Sequence, residues 1–174
     1  MKTGVEKLTD VMAHFLGHTA IRLPDDVIAK LEELRDKEDH PLAKVIYRTM
    51  FRNQMLAEKL QRPSCQDTGV PQYWVRCGTA FPYINELEDL LREATIQATF
   101  ETPLRHNSVQ TFDEYNTGKN VGKGTPTVWW DIIPHSDQCE IYTYLSGGGC
   151  SLPGCATVLM PGEGYEGIVK FVMD

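Results

Sequence analysis

The run Arg62-Pro63-Ser64-Cys65-Gln66-Asp67-Thr68-Gly69-Val70-Pro71 divides the chain in two. It is too polar and too rich in proline and glycine to sit inside a regular element. Whatever precedes it must end there, and the two sides have different textures. On the N-terminal side the apolar residues recur at helical spacing. Val5, Leu8, Val11, Met12 and Phe15 predict a first helix. Pro24 can open a second, because a first-turn residue has no amide partner to lose, and Asp25 and Asp26 suit its positive end. Val27, Ile28, Leu31 and Leu34 form its stripe, and a third helix begins near Pro41 with Leu42, Val45, Ile46, Met50 and Leu56 facing inward. All three stripes read as core.

Beyond the break the pattern alternates. Tyr73 and Val75 interleave with Trp74 and Arg76, which predicts a strand over 72–77. Ile84, Leu87, Leu90, Leu91 and Ala94 predict a helix over 83–98, and residues 103–127 read as loop. Two β-like runs, 127–133 and 140–145, are joined by Pro134-His135-Ser136-Asp137, which predicts a hairpin. Glycines 147–149 make a second irregular stretch, and 157–160 is a short apolar run. Residues 166–172 begin a helix or strand with no closing cap, so the chain is expected to stop within an element. There is no internal repeat and no linker. The expectation is one domain, 1–174, of α/β (α+β) class: N-terminal helices followed by a mixed sheet with flanking helices.

A chain of 174 residues with 41% hydrophobic and 24% charged residues can bury a core. Its net charge of −7 argues against nucleic acid, which requires basic stripes. An anionic ligand would need the few cations gathered locally. No apolar run approaches a membrane span and the N-terminus lacks a signal core, so the reading is cytoplasmic, without membrane. Five cysteines, an odd number, point to reduced or metal-bound thiols rather than a disulfide scaffold.

Cys65-Gln66-Asp67-Thr68-Gly69 places a thiolate donor, an amide, a carboxylate and a hydroxyl in one turn. Sulfur could hold a metal while the neighbours meet a ligand and Asp67 moves a proton. The same residues also read as a plain helix-to-strand turn with an inert cysteine. Gly147-Gly148-Gly149 allows backbone amides close to an anion, or is simply a turn. Cys150 and Cys155 lack the spacing of a zinc pair and read as structural, as do Cys77 and Cys139 in their strand-like settings. Arg105, Lys119 and Lys123 are the available cations, and arginine alone offers a fork matched to a carboxylate. His14, His18, His40 and His135 belong to no constellation.

Four blocks in this order, Cys65-Gln66-Asp67-Thr68-Gly69, Pro103-Leu104-Arg105-His106-Asn107, Asn116-Thr117-Gly118-Lys119-Asn120 and Gly147-Gly148-Gly149, resemble the iron–sulfur hydro-lyase family. That family holds class I fumarate hydratases and tartrate dehydratase α subunits. Residues 104–124, with Phe112-Asp113-Glu114, are nearer the tartrate branch. The resemblance implies a 4Fe–4S cluster on three cysteines, its open iron acting as a Lewis acid on a small hydroxy-dicarboxylate. By position it implies Cys65 as a cluster ligand, Gln66 and Asp67 at the substrate with Asp67 near the proton transfer, Arg105 on a carboxylate, and an amide near Gly148 on a carboxylate oxygen. The other two cluster cysteines of the family have no counterpart here, so the fold is expected to be incomplete relative to the family domain and inactive alone. A β subunit or C-terminal domain is the implied partner, in an oligomer. The alternatives are a noncatalytic paralogue binding a dicarboxylate or partner subunit, and a metal module built from Cys65, Cys150 and Cys155.

Overall fold

Helices occupy the first third of the chain, as the periodicity predicts. The computed structural model describes residues 2–65, 67–110, 112, 115–147 and 155–173. Helix α1, Gly4–Ile21, starts at a reciprocal cap: the Glu6 amide donates to the Thr3 hydroxyl at 3.2 Å, and the Thr3 amide donates to the Glu6 carboxylate at 2.7 Å. Helix α2, Asp25–Lys37, follows Pro24, and α3, Pro41–Leu60, has its proline in the first turn. Gln61 ends α3 in the left-handed conformation, φ 52°, and the Arg62 amide closes on the Ala57 carbonyl at 3.1 Å.

Strand β1, Val70–Gly78, is the central strand, with Tyr73, Val75 and Cys77 fully buried on one face. Helix α4, Leu87–Glu101, carries the chain back, and β2, Thr127–Ile133, then pairs parallel to β1. Strand β3, Cys139–Ser146, pairs antiparallel to the other edge of β1, giving the order β2-β1-β3. The sheet is mixed, as expected, but the predicted hairpin is absent: β1 lies between the two strands. Their link arches over the end of β1 instead. Gly78 donates to the Gln138 carbonyl at 2.8 Å and Ala80 to the Ser136 carbonyl at 2.9 Å. A Cβ on Gly78 would fall 2.0 Å from the Ser136 oxygen, so only glycine lets the link pass.

The core lies between one sheet face and the α1/α4 pair, and comprises Met12, Ala13, Leu16, Ala20, Tyr73, Val75, Cys77, Leu87, Leu90, Leu91, Ala94, Ala98 and Leu104. On α1 the buried stripe is rotated from the predicted one. Val11 and Phe15 are exposed, whereas Ala13, Leu16, Gly17 and Ala20 are buried. Small residues let α1 approach α4 closely, and a Cβ on Gly17 would meet the Thr102 hydroxyl at 2.3 Å. The expectation for α2 and α3 is corrected more strongly. No residue of α2 is buried and only Ala57 of α3 is, so Leu42, Val45, Ile46, Met50 and Leu56 stand exposed. Periodicity places apolar residues on one helix face, but a neighbour must supply the burial. The opposite sheet face, carrying Trp74, Trp129, Tyr142 and Tyr144, is likewise exposed.

The last described element is α5, Gly164–Met173, entered through a 3₁₀ turn at Pro161–Glu163. It resolves the helix-or-strand alternative as helix. Among the described residues no helix is long and apolar enough to cross a membrane.

Candidate active site

The described residues of three of the four sequence blocks, and the first residue of the fourth, gather at one end of the sheet. The pairing requires it: Val70, which opens β1, lies opposite Ser146, which closes β3, and Gln72 lies opposite Thr127, which opens β2. The Cys65 turn, the 102–126 loop and the start of the glycine block therefore leave the sheet together. The turn is anchored from behind. The Ser64 amide donates to the Ala20 carbonyl at 2.9 Å, and the Asn53 side-chain amide donates to the Ser64 carbonyl at 2.5 Å. Gly69, at φ +79°, packs so tightly on β3 that a Cβ would lie 2.6 Å from the Ser146 nitrogen.

Cys65 is exposed and is a free thiol. With Arg62, Pro63, Thr68, Pro103 and Arg105 it lines an open cleft of about 250 Å³. The thiol and the guanidinium-bearing residue thus share one cavity, away from the aliphatic core. Asp67 lies beneath Arg105. The guanidinium approaches the Asp67 carboxylate at 3.9 Å, with Asp67 17% and Arg105 59% exposed by side chain. The Asn107 side-chain amide donates to the same Asp67 oxygen at 3.2 Å, and the Arg105 backbone amide donates to the Thr68 hydroxyl at 3.0 Å. Arg105 is tethered to the Cys65 turn through its backbone, and its side chain, which lines the cleft, remains exposed.

Two more apolar hollows lie elsewhere. One of about 170 Å³ runs between α2 and α3 beside Leu31, Met50 and Phe51, and the other lies over Trp74, Arg76 and Tyr142 on the open sheet face. Neither contains a thiol, and neither touches the four blocks. In the second, Arg76 is already engaged by Asp131 at 3.2 Å and Glu140 at 3.0 Å.

The other sequence candidates divide. Gln66 and Gly148, with Asp113, Glu114, Gly149 and Cys150, lie outside the described residues. Lys123 is placed over the Phe112 ring at 5.4 Å, a cation–π contact. His14, His18, His40 and His135 are all exposed. Cys77 is buried in the core, and burial beside Cys77 and the sheet holds the Cys139 thiol well above the ordinary thiol range. Asn107 and Thr68, which the residue types alone do not single out as ligands, hold Asp67 and Arg105; their signal is their place inside the recognised blocks.

The fumarate hydratase (Fumerase) description matches residues 9–174. The chain belongs to the fumarate hydratase family. Among its relatives, the L(+)-tartrate dehydratase subunit alpha of Escherichia coli (strain K12) is 52% identical over 170 residues, which is 98% of this chain and 56% of that protein. The corresponding protein of Shigella sonnei (strain Ss046) shows the same figures. A putative L(+)-tartrate dehydratase subunit alpha of Methanocaldococcus jannaschii (strain ATCC 43067 / DSM 2661 / JAL-1 / JCM 10045 / NBRC 100440) is 33% identical over 171 residues, 97% of this chain and 60% of that protein. The chain spans somewhat more than half the length of these relatives.

The donor set can be tested against a 4Fe–4S cluster. Cys65 meets one requirement of a ligand, being an exposed free thiol that lines a cleft shared with Arg105. Among the described residues no three Cys, His, Asp or Glu side chains are grouped to hold a metal ion. Of the four described cysteines, Cys65 alone lines this cleft, so in this fumarate hydratase family chain a cluster there would need ligands from outside the described residues.

Proposed function

We propose that these residues are part of the catalytic α subunit of an iron–sulfur hydro-lyase that dehydrates a hydroxy-dicarboxylic acid, L-tartrate to oxaloacetate first and the malate/fumarate pair second. The observation that carries this reading is the shared cleft of Cys65, Thr68 and Arg105, with Asp67 held beneath it. The tartrate preference draws support from the names of these relatives and from the 52% identity to the Escherichia coli protein. The proposed unit is a single domain, 1–174, forming the N-terminal portion of a larger catalytic domain. A β subunit, or an equivalent C-terminal domain, completes the site; the relatives' designation as subunit alpha supports such a partner, and an oligomer.

In this reading Cys65 is one ligand of the cluster, which when bound supplies Lewis-acid assistance to loss of the substrate hydroxyl. Arg105 clamps one substrate carboxylate by its planar fork, and its exposure leaves the guanidinium facing an incoming anion. Asp67 takes or directs the proton on the carbon next to the hydroxyl-bearing one. The C–H electron pair becomes the new C=C bond as the hydroxyl on the neighbouring carbon leaves, taking up one proton to depart as water. From malate this gives fumarate, and from L-tartrate an enol that ketonises to oxaloacetate, with no net redox change. Asn107, donating to Asp67 at 3.2 Å, keeps that carboxylate oriented. Gln66 and a backbone amide near Gly148 complete the contacts to substrate. A reducing, cytoplasmic setting suits the exposed Cys65 thiol and the facing, unbridged pair Cys77 and Cys139.

The test is co-expression of the complete reading frame containing these residues with its β partner, followed by anaerobic turnover of L-tartrate, malate and fumarate. Dehydration of L-tartrate is expected, with no activity from the 174 residues alone. Arg105→Ala should lower kcat/KM by an amount on the order of 2–5 kcal/mol in the closed site while leaving iron and sulfide content unchanged. Full activity of Arg105→Ala, or a cluster assembled on this chain by itself, contradicts the reading.

A further inference from the structure

Asn120 has no solvent exposure, and its backbone sits in the left-handed region at φ +56°. All of its described side-chain hydrogen bonds run to two places, the 105–107 turn and α4. Its carbonyl oxygen accepts from the Asn107 backbone amide at 2.8 Å. Its amide nitrogen donates to the Arg105 carbonyl at 3.0 Å and to the Thr99 hydroxyl at 3.2 Å. The orientation of this amide is unambiguous, because a backbone N–H can only donate and a backbone carbonyl can only accept. Thr99 is itself fixed, donating to the Thr95 carbonyl one turn back at 2.7 Å, and Thr95 meets the buried Tyr73 hydroxyl at 2.9 Å. An unbroken path of polar contacts and one helical turn thus runs from β1 through α4 to Asn120, and from Asn120 to both ends of the turn bearing Arg105 and Asn107. Those two side chains reach the same oxygen of Asp67.

We infer that Asn120 is a positioning residue of the dicarboxylate site, setting Arg105 and Asn107 over Asp67 from within the rigid core. The inference rests on the functional reading above. It explains why a polar amide is fully buried in this loop, whose 122–125 end is held separately by Arg92 of α4 donating to the Gly122 and Thr125 carbonyls. A carbonyl oxygen and an amide nitrogen on one short side chain bridge the turn as a peptide unit would, and no apolar or charged residue of that size can do both. Aspartate at 120 keeps the acceptor for Asn107 but turns an oxygen against the Arg105 carbonyl.

The experiment compares Asn120→Gly, Asn120→Asp, Arg105→Ala and the Asn120→Gly/Arg105→Ala double variant in the complete enzyme. KM and kcat for the dicarboxylate are measured separately, with iron and sulfide content and thermal midpoint recorded for each. Glycine accepts the left-handed backbone, so Asn120→Gly removes the bridge without adding dihedral strain. The expected result is a fall in kcat/KM of roughly 10–100-fold, carried substantially by KM, with cluster content retained. Added to Arg105→Ala, the same change should lower kcat/KM by less than it does alone, because part of its effect passes through Arg105. Asn120→Asp should be at least as impaired as Asn120→Gly. If Asn120→Gly does not accumulate as folded enzyme, Thr99→Val reads the same path by deleting the acceptor behind Asn120, with a smaller loss in the same direction. A lowered thermal midpoint with unchanged KM and kcat at assay temperature overturns the positioning role alone, as does full additivity with Arg105→Ala. A wild-type enzyme that dehydrates no dicarboxylate overturns the functional reading itself.

Discussion

Replacing Gly69 by alanine should destabilise the chain through two separable effects. At φ +79° an L-residue loses roughly 1–2 kcal/mol relative to glycine. The new methyl would also sit 2.6 Å from the Ser146 nitrogen, 2.9 Å from the Leu145 carbonyl carbon and 3.0 Å from the Ser146 Cα. All three atoms are β3 backbone, so relief requires moving a strand edge, an overpacking effect of roughly 1–3 kcal/mol. Together they amount to about 2–5 kcal/mol. Gly124 supplies the internal control. It has nearly the same dihedral, φ +72°, but nothing lies within 4 Å of its would-be Cβ, so Gly124→Ala should lose only the dihedral part. Urea denaturation followed by tryptophan fluorescence measures both variants, and the difference between them isolates the clash. Thr68 should shift with Gly69, loosening its 3.0 Å contact from the Arg105 amide, so slowed proton exchange at that amide should be lost along with stability. Equal destabilisation of the two alanine variants would refute the close approach of the Cys65 turn to β3.

Three other outcomes can be checked on the purified chain. Burial pushes the Tyr73 hydroxyl up to about 12 from an ordinary value of 10.0, the Thr95 contact opposing this only in part. The unfolded chain therefore ionises first: stability from Tyr73 is complete below pH 10 and falls as pH rises toward 12, by on the order of 2–3 kcal/mol, and Tyr73→Phe should flatten that decline in a pH series of urea midpoints. Tyr73→Phe at neutral pH should lose only about 0.5–1.5 kcal/mol by the same measurement, because the Thr95 hydroxyl still donates to the Leu91 carbonyl at 2.8 Å. Iodoacetamide labelling followed by peptide mass spectrometry should modify Cys65 and Cys155 quickly, while Cys77, being buried, and Cys139, whose thiolate is disfavoured, react only on unfolding; early modification of Cys77 would contradict the core assignment.

Much of the site's chemistry is visible in the amino-acid order. The proline- and glycine-bounded run around Cys65 could be neither helix nor strand, and the acidic composition made any clustered arginine notable. Placing Arg105 beside Asp67, though, took the two intervening elements, β1 and α4, together with the loop that Asn120 holds. That asparagine carries no signal of its own in a polar loop. Its importance comes from being buried with three partners, two of them backbone groups thirteen and fifteen residues away.

Local order along the chain was sufficient for what depends on neighbours in sequence. Proline placement opened α2 and α3, the 3.6-residue period located the helices, and the alternation about Tyr73 and Val75 located β1, because backbone dihedrals and side-chain direction repeat within a single element. Strand order and helix burial were decided elsewhere. The runs 127–133 and 140–145 looked like partners because a short link joins them, yet β1 offers each of them an edge and Gly78 lets the link cross above it. On α1, alanine and glycine outcompeted Val11 and Phe15 for the interior because close approach to α4 rewards small side chains, while the stripes of α2 and α3 are only partly covered, by each other, among the described residues. Both outcomes depend on contacts between residues far apart in sequence, and a window along the chain contains only one side of each such contact.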